Sequence, residues 1–563
     1  MPRFVPYAFL AFAVFAAYSN IYDNVFLFDD DLLIRLNTYL RGGWDHFLHL
    51  FTASTTEGAH IAGGFYRPMQ NILYFIIFQL TGEQPFGFHL LNVGLHAANA
   101  CLGYRLALRL GLDARAAILG MLLWALHPLH TEAVTYMSGT ADPLFVCFCL
   151  GGLNVALPQL TQRSVMKSVP FFLLSLLSKE TAVVFPALLV VCGWLVKVQD
   201  DQQELSSQRK SGSSASDSEP KTFGCADARR WIPTCVGMTP QEIGATLPLW
   251  IITVVFLAWR VSSPDFDGPE RYRQLFQMPE YASLKLYAVD PFVRFSTFLA
   301  TLPAYANLLV WPVDLHMERA FPLHLNLTTV PAVTGLVMLV AALAHILWSM
   351  KTRRGLALSW GLLWFMAAHA PNSGIFFYMN SLFLEHWMYL PTIGLFLGLA
   401  QTAVVLLDRF GKTWLGYASF GVTFIAIVAL SARTYDQNNV WRDPVTFYTH
   451  IFSYGVVSPR AHNNLATAYM DRHETQKAIE EYHRAIKEGD TYAETHYNLA
   501  LALLGLPDQR EEMPEAIAQL ERSVEIEPRF YRSYETLAQI YAYLGDNVKA
   551  DAYRAKARQI LGP

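Results

Sequence analysis

The sequence predicts an all-α protein in two parts: a polytopic membrane bundle of about eleven transmembrane helices, then a C-terminal solenoid of paired helices. Three observations predict it. The chain of 563 residues is 53% hydrophobic and only 16% charged, against roughly 25% charged in a soluble domain. Apolar runs of membrane-spanning length recur before residue 433. After it, the chain is polar and repeats itself. The charge balance excludes a generally basic nucleic-acid binder, since 46 acidic residues outnumber 42 basic ones. Six cysteines without CxxC spacing exclude a disulfide scaffold and offer no zinc knuckle.

A span needs about 20 apolar residues. Such runs lie at 4–20, 86–108, 115–131, 141–158, 168–179, 181–198, 244–260, 291–312, 330–350, 356–371, 387–407 and 413–431. The stretch 171–198 divides at Ser178-Lys179-Glu180, because adjacent charges are costly in hydrocarbon and mark a turn at one face. The first run lacks a small-residue cleavage site and reads as a retained signal-anchor. Basic residues then set the orientation. They cluster at Arg105, Arg109 and Arg115; Arg163 and Lys167; Arg209, Lys210, Arg229 and Arg230; Lys351, Arg353 and Arg354; and Arg409 and Lys412. With all five clusters in the cytoplasm, 21–85 is the first extracytoplasmic loop and everything after 432 is also outside. Both flanks of 291–312 then lie outside. That segment carries Arg294 and Pro303 and is expected to be re-entrant or interfacial, which leaves eleven spans in a membrane domain covering 1–432. Residues 199–243 form a cytoplasmic loop, disordered over the low-complexity stretch 206–220.

Residues 433–458 read as a linker to three repeats at 459–563. The tetratricopeptide pattern places small and aromatic residues at fixed offsets, so that paired helices approach closely and aromatics fill the holes. The first repeat supplies His462, Leu465, Ala466, Tyr469, Ala478, Tyr482 and Ala485. The second gives His496, Leu499, Ala500 and Leu503, then Ala516, Leu520 and Ser523 displaced by four residues. The third gives Tyr534, Leu537, Ala538, Tyr541, Ala550 and Ala557, with Arg554 at the second-helix aromatic offset and Tyr553 one place early. Asn463, Asn464, His496 and Asn498 are the first-helix polar residues expected on the concave, acceptor-binding surface.

Polar residues gather at the outer membrane ends, where they mark function by default. Asp29, Asp30 and Asp31 follow the apolar VFLF; Arg67 lies in FYRPM; His127, His130 and Glu132 lie in HPLHTEAV, before Asp142. Lys179 and Glu180 cap the fifth span, Glu318 and Arg319 follow Trp311-Pro312, and Glu385 and His386 open EHWMYLP. A carboxylate here can act as a general base for a hydroxyl nucleophile. Arg67, Lys179 and His386 can hold a phosphate. Together they suggest sugar transfer from a polyprenyl phosphate beside the bilayer. The spacing of His127 and His130 around Pro128 is poor for a shared metal, and no further ligand spacing supports one. Hydrogen-bonding or loop-structuring roles are expected for both.

An ordered series of motifs carries a resemblance. FLFDD at 26–30, FYRPM at 65–69, PFGFHLLNVGLHA at 85–97, ALHPLHTEAV at 125–134, LLSKET at 176–181, LLVWP at 308–312, the stretch 370–394 and VWRDPVTFY at 440–448 cover nearly the whole chain. The sequence resembles the transmembrane and tetratricopeptide-repeat-containing O-mannosyltransferase family, within the GT-C superfamily of polyprenyl-phosphate-sugar glycosyltransferases. The resemblance implies a GT-C-like bundle and acid–base work by the first-loop acidic pair, matched by Asp29 and Asp30, with Asp31 a third contender. It implies Lys179 as a donor-phosphate contact, and His130, Glu132, Asp142, Glu180, Glu318 and Glu385 as supporting polar residues. The sequence departs from the family pattern at Glu385-His386, where Glu-Arg is usual, and at Gly139-Thr140-Ala141-Asp142, which loses an arginine. The usual Asp-Tyr is Glu318-Arg319, and three repeats are few.

The expected reaction is inverting transfer of a hexose, mannose by the resemblance, from a polyprenyl-phosphate sugar to an acceptor hydroxyl such as a protein Ser or Thr. No metal or other cofactor is expected. The expected partners are the lipid-linked sugar, the bilayer and an acceptor protein or glycan held by the repeats, with no nucleic acid. The short loops and few repeats point to a bacterial inner membrane with a periplasmic active face. Two other classes compete: a non-catalytic membrane-anchored repeat scaffold for envelope proteins, which needs no acidic cluster, and a lipid transporter, which would carry its charges deep within spans.

Overall fold

A computed structural model describes residues 4–59, 65–210, 239–262, 284–376, 379, 381–411, 413–507 and 509–561. Every regular element among them is helical. The chain divides into two compact units, Met1–Asn439 and Val440–Pro563.

The first unit contains α1 (Val5–Ala17), α2 (Pro68–Thr81), α3 (Pro85–Arg109), α4 (Ala114–Ala125), α5 (Ala141–Ala156), α6 (Gln162–Leu176) and α7 (Phe185–Lys210). It continues with α8 (Pro240–Ser262), α9 (Pro291–Val310), α10 (Val330–Thr352), α11 (Leu356–His369), α12 (Pro391–Phe410) and α13 (Trp414–Asn438). Proline stands at the start of α2, α3 and α9, where its missing N–H costs no hydrogen bond. Asp113 caps α4 and Asp290 caps α9. Among the described residues, five helices are long and apolar enough to cross a membrane: Met137–Ala156, Glu180–Asp201, Pro240–Ser262, Val330–Thr352 and Pro391–Arg409. On α8 and α10 only 22% and 17% of the apolar window is buried inside the protein, which leaves apolar flanks for lipid. The core between the helices is large and aromatic, with Trp124, Phe172, Phe185, Trp360 and Trp364 fully buried.

Helix α3 places the site. His89, Asn92, His96 and Asn99 recur at helical spacing inside an otherwise apolar run, and all four are buried. Asn92 donates to the carbonyls of Val134 (3.2 Å) and Tyr136 (3.1 Å). Asn99 donates to Pro143 O at 2.8 Å, and His96 bonds Tyr389 Oη at 2.7 Å and Ala125 O at 2.9 Å. The stripe ties α3 to the folded segment 125–143 and to the start of α12.

The structure bears on four expectations. The segment 291–312 contains one unbroken helix of 20 residues, α9. A helix without a reversal does not form a re-entrant hairpin, and it fits the interfacial alternative. The expected linker 433–458 is helical: α13 runs on to Asn438 because Thr434, Gln437 and Asn438 are buried and hydrogen-bonded, and Pro444–Ser453 is a helix. Of the expected cytoplasmic loop 199–243, residues 199–210 continue α7 and 240–243 begin α8, while 211–238, and with them most of the stretch expected to be disordered, lie outside the described residues. Among the described residues His130 makes no ring hydrogen bond; its role is the loop-structuring one, buried against the rings of Trp124 and Tyr389, each 5.2 Å away. His127 behaves as expected, accepting Leu129 N–H at 3.2 Å.

The second unit begins with α14 (Pro444–Ser453). Three helix pairs follow: α15 (Pro459–Asp471) with α16 (Thr475–Glu488), α17 (Ala493–Leu504) with α18 (Gln509–Ile526), and α19 (Tyr531–Tyr543) with α20 (Asn547–Leu561). The pattern residues Ala466, Ala478, Tyr482, Leu499, Ala500, Ala516, Leu520, Leu537 and Ala550 form its core. Tyr553 fills the hole of the missing third aromatic from one place early, stacking on Tyr541 at 5.6 Å and 14°.

Candidate active site

The segment 127–142 is the hub to which the expected site residues attach. Phe28 adopts a left-handed conformation (φ 53°), unusual for a bulky residue, and a π-helical turn, Asp31–Arg35, follows. Strained backbone of this kind concentrates at functional sites. The turn separates the three aspartates. Asp30 points inward and is 1% exposed. Its Oδ1 accepts the backbone N–H (2.7 Å) and the hydroxyl (2.5 Å) of Ser138, and its Oδ2 accepts Leu27 N–H at 2.9 Å. Burial outweighs these bonds and raises its pKa to about 7. Asp29 is exposed, with its backbone N–H bonded to Tyr136 Oη at 3.0 Å. Asp31 pairs with Arg35 at 2.8 Å on the exposed turn.

Lys179 is buried in the break between α6 and α7. Its Nζ lies 2.7 Å from both carboxylate oxygens of Asp142. Burial lowers its pKa against the pull of Asp142. The expected donor-phosphate contact is thus satisfied inside the protein, as a structural ion pair at a helix end. The next residue, Glu180, sits between two guanidinium groups: Arg67 Nε is 3.5 Å from its Oε2 and Arg260 Nη2 is 3.7 Å from its Oε1. Arg67 also lies 4.5 Å over the Phe65 ring, and its buried Nε makes no hydrogen bond among the described residues.

Glu132 grips residue 386 with both oxygens, one on the backbone N–H (2.9 Å) and one on the ring Nδ1 (2.8 Å). Burial raises the pKa of Glu132, but the attraction of the His386 ring and its hydrogen bonds outweigh this and leave it lowered. His386 is thereby tied to Glu132 through Nδ1. Glu385 is buried, accepts His316 N–H at 2.8 Å and lies 3.5 Å from Arg319. Burial, then Glu132, push its pKa well above the carboxylate range. At Glu318 the backbone is left-handed (φ 58°), and it is the neighbouring Arg319 that reaches Glu385. No group of three His, Cys, Asp or Glu side chains placed to hold a metal occurs among the described residues.

The structure therefore brings together Asp30 with Ser138, Asp142 with Lys179, Glu180 with Arg67, and Glu132 with His386. Sequence reasoning missed Ser138, Tyr136 and Arg260. Arg260 carried a usable signal: an arginine at the outer end of an apolar run, against the inside bias of basic residues. In the second unit His496 is buried, with Nδ1 2.6 Å from Gln519 Oε1 and Nε2 bonded to Asp490. It packs between helices and does not belong on an acceptor-binding surface. Asn463, Asn464 and Asn498 are half-buried and linked: Asn463 donates to Asn464 at 3.2 Å, and Asn498 to Asn463 at 3.5 Å.

Comparison with known proteins gives a consistent set of relatives. Protein O-mannosyl-transferase Tmtc3 of Drosophila melanogaster is 23% identical over 84% of this chain and 54% of its own length. Protein O-mannosyl-transferase F38B6.6 of Caenorhabditis elegans is 22% identical over 84% of this chain and 61% of its own. Protein O-mannosyl-transferase TMTC1 of Homo sapiens is 26% identical over 87% of this chain and 56% of its own. The chain is a homologue of these TMTC proteins. It spans little more than half the length of the TMTC relatives it matches. No family model matches the sequence. A solved structure of MamA aligns with 28% of the chain at 24% identity and a TM-score of 0.17. The TMTC similarity covers 84–87% of the chain, more than the first unit alone, and so reaches both units.

Proposed function

We propose that the first unit is a membrane glycosyltransferase that moves a hexose, mannose by homology, from a polyprenyl phosphate to an acceptor hydroxyl at the extracytoplasmic face. The single observation that carries this reading is the division of the acidic pair: Asp30 is buried and triply hydrogen-bonded, while Asp29 is held outward beside it. A general base must reach its substrate's proton, so Asp29 is the base and Asp30 the anchor of its turn. The acceptor oxygen loses its proton to Asp29 and attacks the anomeric carbon. The bond from that carbon to the phosphate oxygen breaks, polyprenyl phosphate leaves, and the configuration inverts. Arg67 and Arg260 share one carboxylate between them and offer further N–H donors to the departing phosphate. The Lys179–Asp142 pair fixes the break that presents Glu180 to both arginines. The asparagines Asn463, Asn464 and Asn498 are suited to bonding the backbone of an extended acceptor peptide.

The test is turnover by the full chain in nanodiscs, read as release of polyprenyl phosphate from a panel of polyprenyl-phosphate hexoses. We expect release with a mannose donor, and weakened donor use in Arg67→Ala and Arg260→Ala. Absence of release with every donor and acceptor tried would favour the membrane-anchored scaffold.

A further inference from the structure

The three repeats close the same corner in different ways, and the third leaves it open. In each repeat the first-helix residue at the aromatic offset, His462, His496 or Tyr534, faces the second helix near its C-terminal end. A cation recurs on that second helix at the equivalent place: Arg484, Arg522 and Lys556, the middle one after its four-residue displacement. In the first repeat the corner is full of acid. Glu481 lies 2.6 Å from His462 and 2.5 Å from Arg484, and Glu488 lies 3.2 Å from His462. In the second repeat Asp490 bonds His496 and lies 2.8 Å from Arg522, and Glu525 lies 3.0 Å from Arg522.

The third repeat keeps the cation and replaces each acid. Pro528 stands where the second repeat has Asp490, Tyr553 where the first has Glu481, Gln559 where the second has Glu525, and Ile560 where the first has Glu488. A second cation, Arg529, is added beside Pro528. The result is a groove of about 360 Å³ lined by Pro528, Arg529, Tyr534, Lys556, Gln559 and Ile560. Among the described residues its lining includes no carboxylate. Lys556 Nζ rests 5.7 Å from the Tyr534 ring and 5.9 Å from the Tyr553 ring, and among the described residues neither Arg529 nor Lys556 has an ion pair. Both are exposed.

We propose that this groove binds an acidic segment of a partner polypeptide, whose carboxylate takes the place that Asp490 and Glu481 hold in the preceding repeats. The charge complementarity is specific: one cation left by the loss of its acids and a second added beside it, on an aromatic and aliphatic floor that suits the stem of a Glu or Asp side chain. A membrane surface would be met by a flat basic and apolar face, whereas here the cations flank a recess. This inference is independent of the transfer chemistry in the first unit.

The test is fluorescence anisotropy of the full chain in nanodiscs of neutral lipid, titrated into a fluorescein-labelled oligoglutamate peptide, with oligolysine as control. We expect the acidic peptide to bind and added salt to weaken it. Lys556→Glu and Arg529→Glu should each weaken binding about tenfold by placing like charge against the peptide. Arg554→Glu, a charge change at the exposed residue that pairs with Asp551, should leave binding unchanged. Circular dichroism melts of the variants report whether the repeats remain folded. Absence of binding, or binding that Lys556→Glu and Arg529→Glu leave intact in folded protein, would overturn the proposal. So would sedimentation with phosphatidylglycerol vesicles that those two variants abolish and the peptide does not compete.

Discussion

At the scale of single residues, the acidic pair and the lysine show how neighbouring charges take different duties. Asp30 titrates at 3.8 when unfolded and at about 7 when folded. The folded chain holds its proton more tightly, so the stability this brings is complete below pH about 4 and is lost as pH rises through about 7. We expect wild type to lose melting temperature relative to Asp30→Asn over that interval; a constant gap would remove burial as the cause. Lys179 offers a second check. Breaking a buried ion pair by removing one partner costs roughly 3–5 kcal/mol. Lys179→Met should therefore destabilise the first unit by about that amount, and Asp142→Asn added to it should recover most of the loss. Equal melting of Lys179→Met and wild type would contradict the structural role. The sequence made the candidate residues legible, because charges at the ends of apolar runs stand out. It did not reveal their partners. Asp142 and Lys179 lie 37 positions apart, and Glu132 and His386 lie 254 apart; no local pattern encodes either pairing.

At the scale of elements, apolar length pointed to a helical bundle, but close packing depended on residues with no side chain. A Cβ on Gly335 of α10 would lie 1.8 Å from the Leu299 carbonyl oxygen of α9. Small residues of this kind let membrane helices approach. Gly335→Ala should separate the two helices and cost about 1–3 kcal/mol, read as a lower melting temperature in detergent. An unchanged melt would show that α9 and α10 are free to part. The helix α13 outran the boundary read from composition because its last turn is polar for an internal reason: Asn438 donates to the Ala17 carbonyl at 3.0 Å and to Asn20 at 2.9 Å. Composition records polarity and is silent about where it points. The repeats were the most legible element, since their offsets are fixed by helix pairing; even the missing aromatic of the third was recoverable from Tyr553.

At the scale of the whole molecule, orientation decides which compartment Asp29 faces. By the inside bias of basic residues, the first loop is expected outside and the turn after α10 inside. With the six native cysteines replaced by serine, an impermeant thiol reagent added outside should label Leu48→Cys, an exposed position of the first loop, and spare Lys351→Cys. The reverse pattern would invert the molecule and its active face. The most direct test of the central claim is the rate of hexose transfer from polyprenyl-phosphate mannose by Asp29→Asn and Asp30→Asn at matched folded amount. Loss of a general base costs roughly 10²–10⁴-fold. Asp29→Asn should lose transfer on that order with donor binding retained, while folded Asp30→Asn keeps part of its activity. Wild-type transfer that survives Asp29→Asn would contradict Asp29 as the base.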